Sequence, residues 1–199
     1  MKKTIFRTFV VIVSFIATMV LLGNINTPST NARAMEHAEA ALAYCKQHGL
    51  RTDYCILVDF DVHSGKDRFF IWDFSKQGIV YSTICEHGRG GKSTHTTPDF
   101  SNESGSNCTS LGRYHVLNRR HMYNHPSVPC YVLKGVDSTN SNAMARGILI
   151  HPSVSNIPTF PFPLQWRTEG CFGLSLRGFH KVDKYKQISS KPMLLWAYK

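Results

Sequence analysis

Two short stretches carry residue types from which a thiol nucleophile can be built. His151 ends the apolar run Gly147-Ile148-Leu149-Ile150, and Cys171 follows Thr168-Glu169-Gly170. A cysteine attacks a carbonyl only as thiolate, and a neighbouring imidazole is the usual means of generating one. A histidine at the C-terminal end of a hydrophobic strand is held rigidly at a sheet edge. A cysteine directly after a glycine, on a tight turn, exposes its sulfur, and backbone N–H groups of such a turn can point at a developing oxyanion. On residue types alone a second reading stands beside this one: Cys171 as one half of a disulfide and His151 as a strand-end residue bonded to backbone.

Other spacings imitate known chemistry and fail on inspection. Gly90-Gly91-Lys92-Ser93 resembles the end of a phosphate-binding loop, but Glu86 stands where the first glycine is required. Pro98 follows soon after, leaving no helix N-terminus to receive a phosphate. His121 and His125 have the spacing of helical zinc ligands, yet the intervening residues lack a glutamate and Pro126 abuts the second histidine. Asn102 and Asn107 head Asn-x-Ser/Thr sequons, which matter only in a eukaryotic secretory pathway. No metal or cofactor is expected.

The elements that must position His151 and Cys171 follow from periodicity. Met35 to His48 reads as a helix, with Ala38, Ala41, Leu42 and Cys45 on one face and Gly49 as its stop. Tyr54–Val62, Arg68–Phe74 and Gly78–Cys85 read as an antiparallel meander of three strands. Glu86 to Gly112 loses periodicity and fills with Gly, Ser, Thr, Asn and His, a length of irregular chain that usually serves function. Strands are expected at Tyr114–Leu117, Tyr131–Val136, Gly147–His151 and Met193–Tyr198, with a short helix over Ser138–Arg146. Pro152, Pro158, Pro161 and Pro163 stiffen the loop between the two chemical residues. The sum is a mainly β domain with short peripheral helices.

Composition narrows the class. The chain has 199 residues, 42% hydrophobic and 18% charged, which excludes a disordered chain, a collagen and a coiled coil. Lys2, Lys3 and Arg7 precede an uncharged stretch from Thr8 to Leu22, and Ala32-Arg33-Ala34 supplies a small-x-small cleavage pattern. This is the layout of a secretory signal peptide, too short in its apolar part for a spanning helix. Its removal takes Lys2, Lys3, Arg7 and Arg33 from the 23 basic residues and none of the 13 acidic ones, lowering the charge from +10 to +6. A basic exported chain suits anionic polymers at least as well as nucleic acid, and no nucleic-acid partner is expected. The six cysteines (45, 55, 85, 108, 130 and 171) contain no C-x-x-C unit. In an oxidising compartment an even count permits three bridges, and Cys45 and Cys55 flank a turn that they can close.

The ordered set of motifs resembles the L,D-transpeptidase catalytic domain (YkuD type), and within it the murein L,D-transpeptidase subfamily. His151 followed after a loop by Thr168-x-Gly170-Cys171 carries its signature. The resemblance runs from about Tyr54 to Ser175, through Ile56–Phe60, His87-Gly88-Arg89-Gly90, Phe100-Ser101-Asn102, Gly105-Ser106, Thr109–Tyr114 and Ala145–His151. Two positions depart from it: Glu169 stands where many members have His, and Gly173 where many have Arg.

The resemblance implies a mixed β-sheet, sandwich or barrel-like, over residues 53–199; the leader (1–34) and the N-terminal helix and turn (35–52) read from the residues precede it. It also implies an acyl transfer on peptidoglycan stem peptides. Cys171 forms a thioester and expels a terminal D-amino acid, His151 moves the proton, and the N–H groups of Gly170 and Cys171 meet the oxyanion. Transfer to an amine gives a crosslink; transfer to water gives L,D-carboxypeptidase or amidase activity. A catalytically inactive wall-binding protein of the same fold is the third alternative. His87, Arg146, Thr168, Tyr114 and Ser110 are the expected substrate-side residues, and the expected compartment is the periplasm or the exterior.

Overall fold

A computed structural model of the chain describes residues 28–153 and 166–199. The apolar part of the leader and Pro158, Pro161 and Pro163 lie outside the described residues. No helix among the described residues is long and apolar enough to cross a membrane.

The architecture is mainly β, as the periodicity implies. The strands are β1 (Tyr54–Asp59), β2 (Phe69–Asp73), β3 (Gly78–Thr83), β4 (His87–Gly88), β5 (Gly112–His121), β6 (Pro129–Gly135), β7 (Leu149–Pro152), β8 (Trp166–Thr168), β9 (Phe172–Leu174) and β10 (Met193–Tyr198). Eight form one mixed sheet in the order β3-β2-β1-β10-β5-β6-β7-β9, and β4 pairs with β8 in a small second sheet. The β1–β2–β3 meander is present, while β1–β10 and β7–β9 are parallel pairs.

Strands β1, β2 and β10 bury both faces. Ile56, Val58, Val116, Leu133, Ile150, Phe172 and Leu195 pack on one side with Phe179 and Val182 of helix α2 (Leu176–Lys186). On the other side helix α1 (Pro28–Gln47) lays Ala34, Ala38, Ala41 and Cys45 against Cys55, Leu57, Phe70, Trp72 and Leu194. That spacing of four, three and four residues is the single stripe of an amphipathic helix. Helix α1 therefore covers this face over β1, β2 and β10, and the same face of β6, β7 and β9 carries the site described below.

Three expectations change. Helix α1 begins at Pro28, not Met35, with proline in the first turn where its missing N–H costs nothing. Ser138 to Gly147 is a run of turns rather than a helix. Asn140 is the reason: its wholly buried amide donates to the Arg113 carbonyl and accepts from the Asp137 N–H, while Asn102 takes the Ser138 carbonyl and the Asn142 N–H. Side chains that compete for backbone groups in this way deny them to a helix. Finally, all six cysteines are free thiols, and Cys45 and Cys55 share the α1 cluster without a bridge.

The helix passes through Ala32-Arg33-Ala34, the expected cleavage pattern, and Arg33 holds Asp59 in a two-pronged pair (Nε–Oδ2 and Nη2–Oδ1, both 3.0 Å) while reaching Asp61 at 2.7 Å. Asp59 is 1% exposed. Removing its cation strands a buried carboxylate, though the third-exposed guanidinium limits the loss. Arg33→Ala is expected to lower unfolding stability by roughly 1–2 kcal/mol, read as a lower urea midpoint; an unchanged midpoint shows that the pair is dispensable.

Candidate active site

The site begins with strand alternation. Ile150 pairs with Phe172 and His151 with Gly173 across the parallel β7–β9 ladder. Ile150 and Phe172 both face the α2 core, so Leu149, His151, Cys171 and Gly173 face the other way. One step back in register sets Cys171 beside Leu149. Cys171 and His151 are thus diagonal neighbours on one face of adjacent strands, with Cα atoms about 8 Å apart, and both are half-buried.

His151 is held in one tautomer. Its Nδ1 lies 2.9 Å from the Pro152 carbonyl, which can only accept, so Nδ1 carries the proton and Nε2 keeps its lone pair. The Cys171 thiol donates to the Gly147 carbonyl at 3.6 Å. Burial pushes that thiol up to about 11, opposed by a bond from the Leu149 backbone and raised further by the nearby Cys130 thiol. The resting group is therefore S–H.

This state has a measurable consequence. At pH 7–8 Cys171 holds on the order of 100-fold less thiolate than an unperturbed cysteine. Alkylation by iodoacetamide is expected to be slow there and to rise nearly tenfold per pH unit up to about pH 10, still below the value of about 11. Because the other five cysteines are buried, one adduct is expected on the native chain and six after denaturation. Fast, pH-independent alkylation at neutral pH contradicts this description.

The nucleophile turn is fixed by Thr168. Its hydroxyl donates to the Cys171 carbonyl at 2.8 Å and accepts the Gly170 N–H at 3.3 Å. Gly170 has φ +113°, a conformation that side chains avoid, and a Cβ there would lie 2.6 Å from the Cys108 carbonyl oxygen. The Gly170 N–H, expected to face an oxyanion, is turned inward to Thr168. Thr168 is itself a part of the turn rather than an open substrate contact, since it is 7% exposed.

Arg146 braces the same turn from beneath. Nη1 donates to the Ser101 carbonyl (2.8 Å) and Ser110 Oγ (2.7 Å), and Nη2 to Ser106 Oγ (3.2 Å) and the Cys108 carbonyl (2.6 Å). Those bonds tie the 101–110 loop to the carbonyl on which Gly170 rests. Ser110 is wholly buried and donates to the Ser101 carbonyl at 2.8 Å; Tyr114 is equally buried, its hydroxyl donating to the Ser110 carbonyl at 2.7 Å. His87 is inside the molecule as well. Its Nδ1 accepts from Arg68 at 2.7 Å, so Nε2 donates to the Thr94 carbonyl at 2.9 Å. Burial and the Arg68 charge push it down to about 3, which leaves it neutral at any working pH. Of the expected substrate-side residues, His87, Ser110 and Tyr114 are buried supports, and the four hydrogen bonds of the Arg146 guanidinium all go to the loop.

Both departures from the family pattern find a physical reason. Glu169 pairs with Arg89 at 2.5 Å, linking the glycine-rich loop to the nucleophile turn. A Cβ at Gly173 would collide with the Glu86 carboxylate, whose Oε1 accepts from Ser153 Oγ at 2.9 Å. The space an arginine would take is filled by an acid. Sequence reading missed this role of Glu86, along with Cys130 and Arg120, which lie on β6 and β5; alternation within Arg119-Arg120 was the available signal.

The L,D-transpeptidase catalytic domain matches residues 26–198, nearly the whole chain. The chain belongs to this family. It therefore carries the catalytic domain of an enzyme class, the L,D-transpeptidases. Solved structures similar to it include an L,D-transpeptidase from Mycobacterium smegmatis (11% identity, 74% of this chain and 59% of that one, TM-score 0.43). Others are Bd1075 from Bdellovibrio bacteriovorus (14%, 76% and 49%, TM-score 0.49) and an L,D-transpeptidase from Mycobacterium tuberculosis H37Rv (15%, 74% and 58%, TM-score 0.41). The chain spans about half to three-fifths of the length of these three structures. No curated protein matches it.

Proposed function

We propose that this L,D-transpeptidase-family chain is a cysteine acyltransferase acting on peptidoglycan stem peptides outside the cytoplasm. The observation that carries the reading is the pairing on one sheet face of a half-buried thiol, Cys171, with an imidazole whose Nδ1 is tied to Pro152. The Nε2 lone pair of His151 takes the thiol proton as sulfur bonds to the carbonyl carbon of the third stem residue. The carbonyl π pair moves to oxygen, which the Cys171 N–H meets. Collapse of that intermediate breaks the C–N bond, and the Nε2 proton goes to the departing amine of the terminal D-amino acid. The thioester then accepts a neighbouring stem's amine, whose proton returns through His151 to the sulfur.

The high thiol value fits this order: the proton leaves sulfur only when substrate is in place and the imidazole takes it up. Purified chain incubated with disaccharide-tetrapeptide tests the reading by product mass. A dimer lacking one D-Ala marks the transferase, tripeptide alone marks a hydrolase, and no release of D-Ala overturns both.

A further inference from the structure

A stem peptide with a free C-terminus carries a carboxylate next to the bond that the proposed reaction breaks, and Gly173 stands where many members of the family have an arginine. The arginines whose side chains the structure describes, which leaves out Arg167 of β8, can be sorted by what they already hold. Arg33 is paired with Asp59, Arg51 with Asp53, Arg89 with Glu169, Arg113 with Asp137 and Arg119 with Asp183. Arg68 is buried against the Cys85 carbonyl, and Arg146 is spent on its loop. All 13 acidic residues lie among the described residues, and none of them pairs with Arg120, which is exposed. Arg177 is also without an acidic partner, but it belongs to α2, on the opposite side of the sheet.

The register places Arg120 on the sheet face that carries His151 and Cys171. Arg120 pairs with Cys130 across β5–β6. Tyr131 pairs with Ile150 across β6–β7, so Cys130 lies beside His151, and His151 pairs with Gly173. Arg120, Cys130, His151 and Gly173 thus form one transverse row on four neighbouring strands. Alternation sends Arg119 to Asp183 of α2 on the far side and Arg120 to the His151 side, where its charge favours the ionised form of the neighbouring Cys130 thiol against the effect of burial. Two strand spacings separate Arg120 from His151, roughly 10 Å at Cα, a gap that a long guanidinium side chain largely closes.

Resting on the proposed acyl transfer, we infer that Arg120 is the anchor for the free carboxylate of the departing D-amino acid, and hence the residue that restricts the chain to stems with an unblocked C-terminus. The chemistry fixes which carboxylate this is. His151 must stand beside the departing nitrogen to protonate it. In an α-amino acid the carboxyl carbon is two bonds from that nitrogen, about 2.5 Å away. The terminal carboxylate therefore lies next to His151, in the row that ends at Arg120, where a two-pronged charge-assisted contact fits.

The test compares disaccharide-tetrapeptides ending in D-Ala or in D-Ala amide, with release of the terminal group read by mass for the wild type, Arg120→Gln and Arg120→Lys. The wild type is expected to prefer the acid by about 10- to 100-fold in kcat/KM. Arg120→Gln is expected to lose most of that preference through a higher KM for the acid, leave the amide within about twofold, and Arg120→Lys to recover part of it. An acid-to-amide ratio in Arg120→Gln equal to that of the wild type overturns the anchor while leaving the acyl-transfer reading intact. Equal losses on both substrates also overturn it, since a merely structural residue acts that way. Failure of the wild type to release either group overturns the acyl-transfer reading itself and the anchor with it.

Discussion

Cys171→Ala is expected to abolish turnover of disaccharide-tetrapeptide, with a loss of at least about 10⁴-fold, while leaving the fold as it is. Removing a covalent nucleophile leaves only binding and oxyanion contacts, and in triad enzymes the deficit is of that size or larger. The structural cost is small because the thiol is half-buried and its bond to the Gly147 carbonyl spans 3.6 Å. Loss of one weak bond of this kind costs about 1 kcal/mol or less. The measurement is D-Ala release beside a thermal melt. Product at the wild-type rate from the variant removes Cys171 from the chemistry altogether. A collapsed melt shows instead that the side chain is structural. His151→Ala in the same assay separates proton transfer from nucleophilicity, because the Cys171 sulfur remains present and alkylatable.

The sequence made the strands and the candidate pair, His151 and Cys171, legible for the same reason: both depend on neighbours in the chain. Tyr54–Asp59 and Met193–Tyr198 are apolar runs that must be buried, and they pair side by side at the centre of the sheet. Gly-Cys on a turn and a histidine closing an apolar run can be read from a few residues. What could not be read rests on partners far away. His87, Ser110, Tyr114 and Arg146 look like substrate contacts by residue type, yet Arg146 binds Ser101 and Cys108, and His87 binds Arg68. Only the folded chain brings those pairs together and buries them. Helix α2 had a local signal that went unread: Ser175 accepts the Gly178 N–H as a cap, Phe179 and Val182 are three apart, and Lys184 and Lys186 close the last turn. The lysines and histidine around that short stripe hide its apolar face. The cysteines misled by parity. Five of the six are buried, Cys45, Cys55 and Cys85 within apolar clusters, where a thiol behaves as a small hydrophobe.

Gly170→Ala is expected to inactivate the chain with Cys171 and His151 both still present. At φ +113° a Cβ is strained before any contact is considered, at about 1–2 kcal/mol. That Cβ would then meet the Cys108 carbonyl oxygen at 2.6 Å, Ile148 Cδ1 at 2.8 Å and Arg146 Nη2 at 3.2 Å. The first is backbone that Arg146 holds in place, so the turn itself must yield, adding roughly 1–3 kcal/mol of overpacking. The sum is a loss near 3 kcal/mol. Gly49→Ala is the matched control: Gly49 also has positive φ, +67°, but nothing lies within 4 Å of its Cβ, so it carries the conformational cost alone. The variant at 170 is expected to melt several degrees below the variant at 49. Its turnover should fall at least about 100-fold, because displacing the sulfur by an ångström spoils the approach to a carbonyl. Equal melting of the two variants, or full turnover by the first, means that the turn is compliant. In that case the thiol is not positioned by the contact between Gly170 and Cys108.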